Sequence, residues 1–204
     1  MKSCAGAQSA KRKMRRSLAS RSLGPAAVPA LLKRSLCFGL ACAALAACTP
    51  ELDWRELSVP DGRFAVLLPC KARHESRTLN IAAGARAMTM YACSLKQGTM
   101  GVAYTDYPAP ALSATTMREQ LDSARDALLR NIGAGAHTEE EVQVAGLPAR
   151  QVYAEGRAGA QRALLKARFV FAGSRLYQIA YIGEGDGLAM PDIDMFLTSF
   201  KLLR

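Results

Sequence analysis

The side chains best suited to chemistry are six cysteines, two histidines, a methionine pair and one acidic loop. Cys48 closes the stretch Leu45-Ala46-Ala47-Cys48, where a thiol can be acylated. Cys70 and Cys93 can join in a disulfide. Met88 and Met90, with Met100 nearby and His74 in reach on a partner strand, offer the soft donors that Cu(I) favours. Glu184, Asp186, Asp192 and Asp194, within GEGDGLAMPDID, offer hard oxygen donors suited to Ca²⁺. His74 and His137 are the only imidazoles available for acid–base work near neutral pH.

Most of these have a plainer reading. Met88 and Met90 share a strand face, but Cys93 falls on the other by the period of two, and methionine is a common core filler. The acidic loop lacks the spacing of an EF-hand, and a glycine-rich connection into a helix accounts for Asp186 and Asp192. His74 opens an expected strand and His137 opens the acidic stretch HTEEEVQV, so both read as solvated strand-end residues. No G-x-S-x-G, H-E-x-x-H or P-loop occurs. Carboxylate pairs assemble across space without a linear motif and stay open. The expectation is no enzyme, no cofactor and no metal, with Met88, Met90, Glu184 and Asp186 as the donors to check.

Cys48 has the strongest context. From Leu36 to Ala47 runs an apolar stretch of 12 residues behind Lys33-Arg34. A helix needs about 20 apolar residues to cross a bilayer, so this run is too short to span. It has the length and flanks of a signal-peptide core. Leu-Ala-Ala-Cys resembles the bacterial lipobox, whose cysteine receives diacylglycerol and becomes the mature N-terminus. Cys37 has almost no apolar run before it, and Cys42 lacks a large aliphatic three positions upstream. The competing reading is an ordinary secretory signal that ends at a cysteine. Residues 1–47 are therefore expected to be leader, 48–53 a short tether, and 54–204 one folded domain. A leader of 47 residues is long, and a start at Val28 would leave a well-proportioned one, VPALLKRSLCFGLACAALAA.

The charge supports this division. The formal net charge is +10, but residues 1–47 hold nine basic residues and no acid, while 48–204 hold 18 basic and 17 acidic. The basicity belongs to the leader. A nucleic-acid surface needs basic residues gathered on the working domain, and the body has no such run, so no nucleic-acid partner is expected.

With Cys4, Cys37 and Cys42 in the leader and Cys48 acylated, Cys70 and Cys93 remain in an oxidising setting where pairs form disulfides. HESRTLN and ARAMTMYACSL read as two strands around Ala82-Ala83-Gly84. Opposed residues of such a hairpin sum to about 165, and Cys70 and Cys93 fall near each other at its open end. The alternative is two separate buried thiols.

The elements that position these residues can be read in order. WRELSV and RFAVLLP are strands around the Pro60-Asp61-Gly62 turn. The hairpin follows, then MGVAYTDY. A helix is expected near 116–132, with a Thr116/Glu119 capping box, Met117, Leu121, Ala124, Leu128 and Ile132 on one face, and Gly133 as its stop. TEEEVQVAG, ARQVYAEG, QRALLKARFVFAG and RLYQIAYIG return as strands, each closed by glycine. RLYQIAYI is apolar on both faces, which marks a central strand covered on both sides. A last helix begins near Met190-Pro191, with Ile193, Phe196, Leu197 and Phe200 inward. Trp54 reads as an anchor of the first strand, with the lipid interface as the other possibility. This is an α+β plan, a mostly antiparallel β-sheet flanked by helices.

The stretches GRFAVLLP, VAYTDYP, LDSARDALLRNIG, VAGLPARQVYAEG, RFVFAGSRLYQIAYIG and MFLTSFKL, spread over Trp54 to Leu203, resemble the PsbP-like superfamily of α/β/α sandwich domains. More narrowly they are similar to DcrB-like envelope lipoproteins. These motifs are positional patterns for strands and turns and carry no catalytic residue. The resemblance implies a non-enzymatic envelope module; in the plant branch such domains dock on a membrane complex and help it retain ions. The expected protein is a bacterial lipoprotein that faces the periplasm, held to the membrane by its lipid and in contact with an envelope protein. The runner-up is a carrier of a small ligand or metal. Thr49 at the second mature position leaves outer and inner membrane both open.

Overall fold

The computed structural model describes residues 52–81, 84–108 and 113–203. The leader and Cys48 lie outside them. The chain forms β1 Arg55–Val59, β2 Phe64–Leu68, β3 Arg73–Ile81, β4 Gly84–Ser94 and β5 Gly98–Asp106. Helix α1, Ala114–Asn131, follows, then β6 Thr138–Val144, β7 Leu147–Ala158, β8 Gln161–Ala172 and β9 Arg175–Glu184. Helix α2, Met190–Ser199, and β10, Lys201–Leu202, close the chain. Seven strands make one antiparallel sheet in the order β3-β4-β5-β9-β8-β7-β6, and β1-β2-β10 make a separate small one. The mostly antiparallel sheet with flanking helices is the α+β plan read from the sequence.

Alternation along the strands builds two cores. On β8, Leu165 and Phe169 point to one face and Leu164 and Val170 to the other. On β9, Leu176 points to the first face and Tyr177, Ile179 and Tyr181 to the second. The first face meets Leu129 and Ile132 at the end of α1. The second meets Phe64, Val66 and Leu68 of the small sheet and Ile193, Phe196 and Leu197 of α2. β9 is the fourth of seven strands, which is why it is apolar on both sides. Trp54 packs, partly buried, against the second core, as the anchor reading expects.

The helix ends show local chemistry at work. Helix α1 starts earlier than its expected Thr116 cap. Ser113 is the N-cap, and its Oγ accepts from the Thr116 backbone N–H at 3.1 Å. Serine is the better cap, and the intervening residues accept helical geometry. At the other end Gly133 takes φ 57°. The Ala134 N–H donates to the Leu129 carbonyl at 3.0 Å and the Gly133 N–H to that of Arg130 at 3.1 Å, a Schellman closure. Helix α2 has Pro191 in its first turn and buries Ile193, Phe196 and Leu197, with Phe200 buried just beyond it. The two-residue β10 then pairs with β2, a contact too short to read from the sequence.

The β3–β4 register puts Arg73 opposite Ala92 and Ile81 opposite Gly84, the pairing expected of a turn at 82–83. The turn residues themselves lie outside the described residues. Cys70 and Cys93 are joined, with Cα atoms 5.6 Å apart.

Candidate functional site

Helix α1 packs on β7 and β8. The same face of the sheet continues across β9, β5, β4 and β3. There the period of two brings small residues together. Ala92 of β4 opposes Gly101 of β5, and Gly101 opposes Ala180 of β9. Three small side chains thus lie side by side across three strands, and the floor sinks. A side chain in the middle would be tight: a Cβ on Gly101 would stand 3.0 Å from the Tyr91 carbonyl oxygen and 3.1 Å from the Ala92 Cβ. Leu128 of α1 makes one wall, and Met88 and Met90 with Arg77 make the other. The hollow holds about 120 Å³.

This hollow runs into a wider cleft of about 370 Å³ between α1 and the outer strands. Arg77, Met88, Leu128 and Gln178 line both, so the two form one trough. The cleft adds polar groups, among them Thr105, Gln120, Arg130 and Asn131. Arg77 stands directly opposite Met88. Its side chain is paired with no carboxylate among the described residues, and no carboxylate lines either part of the trough. Tyr107, also in the lining, has its phenol pKa pushed up by burial, against the pull of the Arg86 charge.

The expected donors do not converge. Met88 is buried, in line with the core-filler reading, Met90 is half-buried, and both also line the trough beside Leu128 of α1. Met100 and Cys93 belong to the opposite core, and His74 lies against Tyr91 on that same opposite side, with ring centroids 4.8 Å apart. In the acidic loop, Asp194 pairs with Lys166, and Asp186 lies 3.9 Å from Arg162. Among the described residues no three His, Cys, Asp or Glu side chains are grouped to hold a metal ion, Glu184 and Asp192 included.

A charged cluster fastens the other flank of α1. Arg125 reaches Asp126 at 2.8 Å, Asp122 at 3.1 Å and Glu139 at 2.6 Å. Arg150 reaches Asp122 at 2.6 Å, and the exposed His137 lies 3.2 Å from Glu139. The hydrogen bond from Arg125 holds the Asp126 carboxyl below its ordinary range. Each carboxylate here faces a cation, which suits attachment of the helix to the β6–β7 hairpin. On the opposite face Arg168 donates from Nε to Gln151 at 2.7 Å and from Nη1 to the Leu197 carbonyl at 3.3 Å, serving the last turn of α2.

No family model matches the chain, and no curated protein matches it. Among solved structures the chain is similar to the solution structure of cyanobacterial PsbP (CyanoP) from Synechocystis sp. PCC 6803. The identity is 12%, the TM-score 0.47, and the match covers 78% of this chain and 99% of that one. The similarity concerns the course of the backbone alone.

Proposed function

We propose that this chain is a non-enzymatic PsbP-like module of the bacterial envelope, of the DcrB-like kind, tethered through an acylated Cys48 and facing the periplasm. It supports an envelope complex by protein interaction. The observation that carries the reading is the shortness of the tether. The Asp53 N–H donates to the Pro69 carbonyl at 2.9 Å, so the chain is fixed to the body from Asp53 onward. Only residues 48–52 remain as tether. Five residues reach at most about 18 Å when fully extended. A body held so close to a membrane meets membrane-bound partners at a high effective concentration. The test is affinity co-purification from gently solubilised envelopes, with Cys48→Ala as control. A partner recovered with the wild-type chain and reduced in the variant supports the reading. A partner recovered equally with both shows that the tether is not needed.

A second reading, a carrier of a small ligand, is favoured by the trough. Its two parts together fall within the usual size of small-molecule sites, about 300–1,000 Å³. Ligand binding to the folded chain would raise its thermal stability by mass action.

A further inference from the structure

We infer that the trough takes a single-chain anionic amphiphile, with its carboxylate at Arg77 and Arg130 and its alkyl chain on the Ala92–Gly101–Ala180 floor. The inference rests on the carrier reading and names its ligand class.

Shape and charge point to the same class. The narrow end is mostly apolar and floored by Ala92, Gly101 and Ala180, so it has width for a chain of methylenes; Thr99, Gln178 and Arg77 are its polar lining residues. The wide end carries Arg77 and Arg130 and no carboxylate. Glu75, next along the same face of β3, lines neither part. A free inorganic anion would leave the floor empty. A neutral lipid would leave the Arg77 guanidinium, which pairs with no carboxylate among the described residues, without a counter-charge; the Arg130 charge acts also on Asp126. An alkyl chain ending in a carboxylate uses both ends, since arginine binds carboxylates in a two-pronged fork. Met88 and Met90 in the lining add unbranched, polarizable side chains that adapt to a chain of variable shape.

The test is titration calorimetry on the full chain carrying Cys48→Ala, with dodecanoate, dodecanol and dodecyltrimethylammonium, each below its micelle concentration. Dodecanoate is expected to bind about tenfold more tightly than the cationic probe, and Arg77→Glu to remove that preference. Ala103→Leu, which raises the floor beside Met90 and Gln178, is expected to weaken all three probes. A thermal melt confirms that each variant is folded, and Ala103→Val serves if the leucine variant is not. Binding of no probe by the Cys48→Ala chain without further substitution overturns the carrier reading and the inference with it. Equal binding of all three, unchanged by Arg77→Glu, leaves the carrier reading standing and overturns the anionic ligand.

Discussion

The Tyr177 phenol donates to the Gly62 backbone carbonyl at 2.8 Å, across 115 residues of sequence and in a buried setting. This bond ties the central strand β9 to the β1–β2 turn. Phe64, next to that turn, packs edge-on against Tyr177 with ring centroids 6.2 Å apart. Tyr177→Phe keeps the ring but leaves the carbonyl without this donor. It is expected to cost about 1–2 kcal/mol, read from the urea midpoint at constant m-value. An unchanged midpoint would show that the bond contributes nothing net.

Burial pushes the phenol pKa values of Tyr177 and Tyr181 above their ordinary 10.0. A group whose folded pKa is raised contributes stability that is complete below the unfolded value and is lost as pH rises through the folded one. Stability should therefore fall above pH 10, with late-titrating tyrosines in the ultraviolet difference spectrum. Tyr177→Phe should lessen this alkaline loss. Ordinary titration of every tyrosine in the folded chain would contradict the expectation.

The Cys70–Cys93 bond closes a loop with a sequence separation of 23. Replacing both cysteines with serine is expected to lower stability by about 3 kcal/mol. Thiol titration of the unreduced, denatured protein should find neither of the two free. Recovery of both as free thiols would exclude the bond.

Gly156 of β7 passes directly under the end of α1. A Cβ there would stand 2.1 Å from the Ile132 carbonyl oxygen and 3.0 Å from the Ala134 nitrogen, both backbone atoms. The same Ile132 carbonyl accepts from the Arg157 N–H at 2.6 Å. Gly156→Ala must push helix and strand apart, and we expect a loss of about 2 kcal/mol or more in chemical denaturation. A neutral result would mean that this junction yields freely.

The legible parts of the fold were those written in local pattern. RLYQIAYI announces a strand buried on both faces, and Ile193, Phe196, Leu197 and Phe200 announce the buried side of α2; all four are buried. The turn-centred register between residues 73 and 92 was likewise within reach. What escaped depends on partners far away in sequence. The floor of the trough is one example: Ala92, Gly101 and Ala180 become a surface only once β4, β5 and β9 are paired. Read alone, each is one small residue in a strand. Met88 is buried as methionine usually is, and only the packing of α1 beside the paired strands shows that it and Met90 also line the trough. The Arg125 cluster escaped for the same reason, since Glu139 and Arg150 reach α1 from β6 and β7.

The proposal stands on the tether, so the most direct measurement is mass spectrometry of the mature protein's N-terminal peptide, isolated from its native membrane. The predicted result is a chain that begins at Cys48 and carries a diacylglyceryl thioether, with residues 1–47 absent. A mature chain with an unmodified Cys48, or one cut elsewhere, would contradict it.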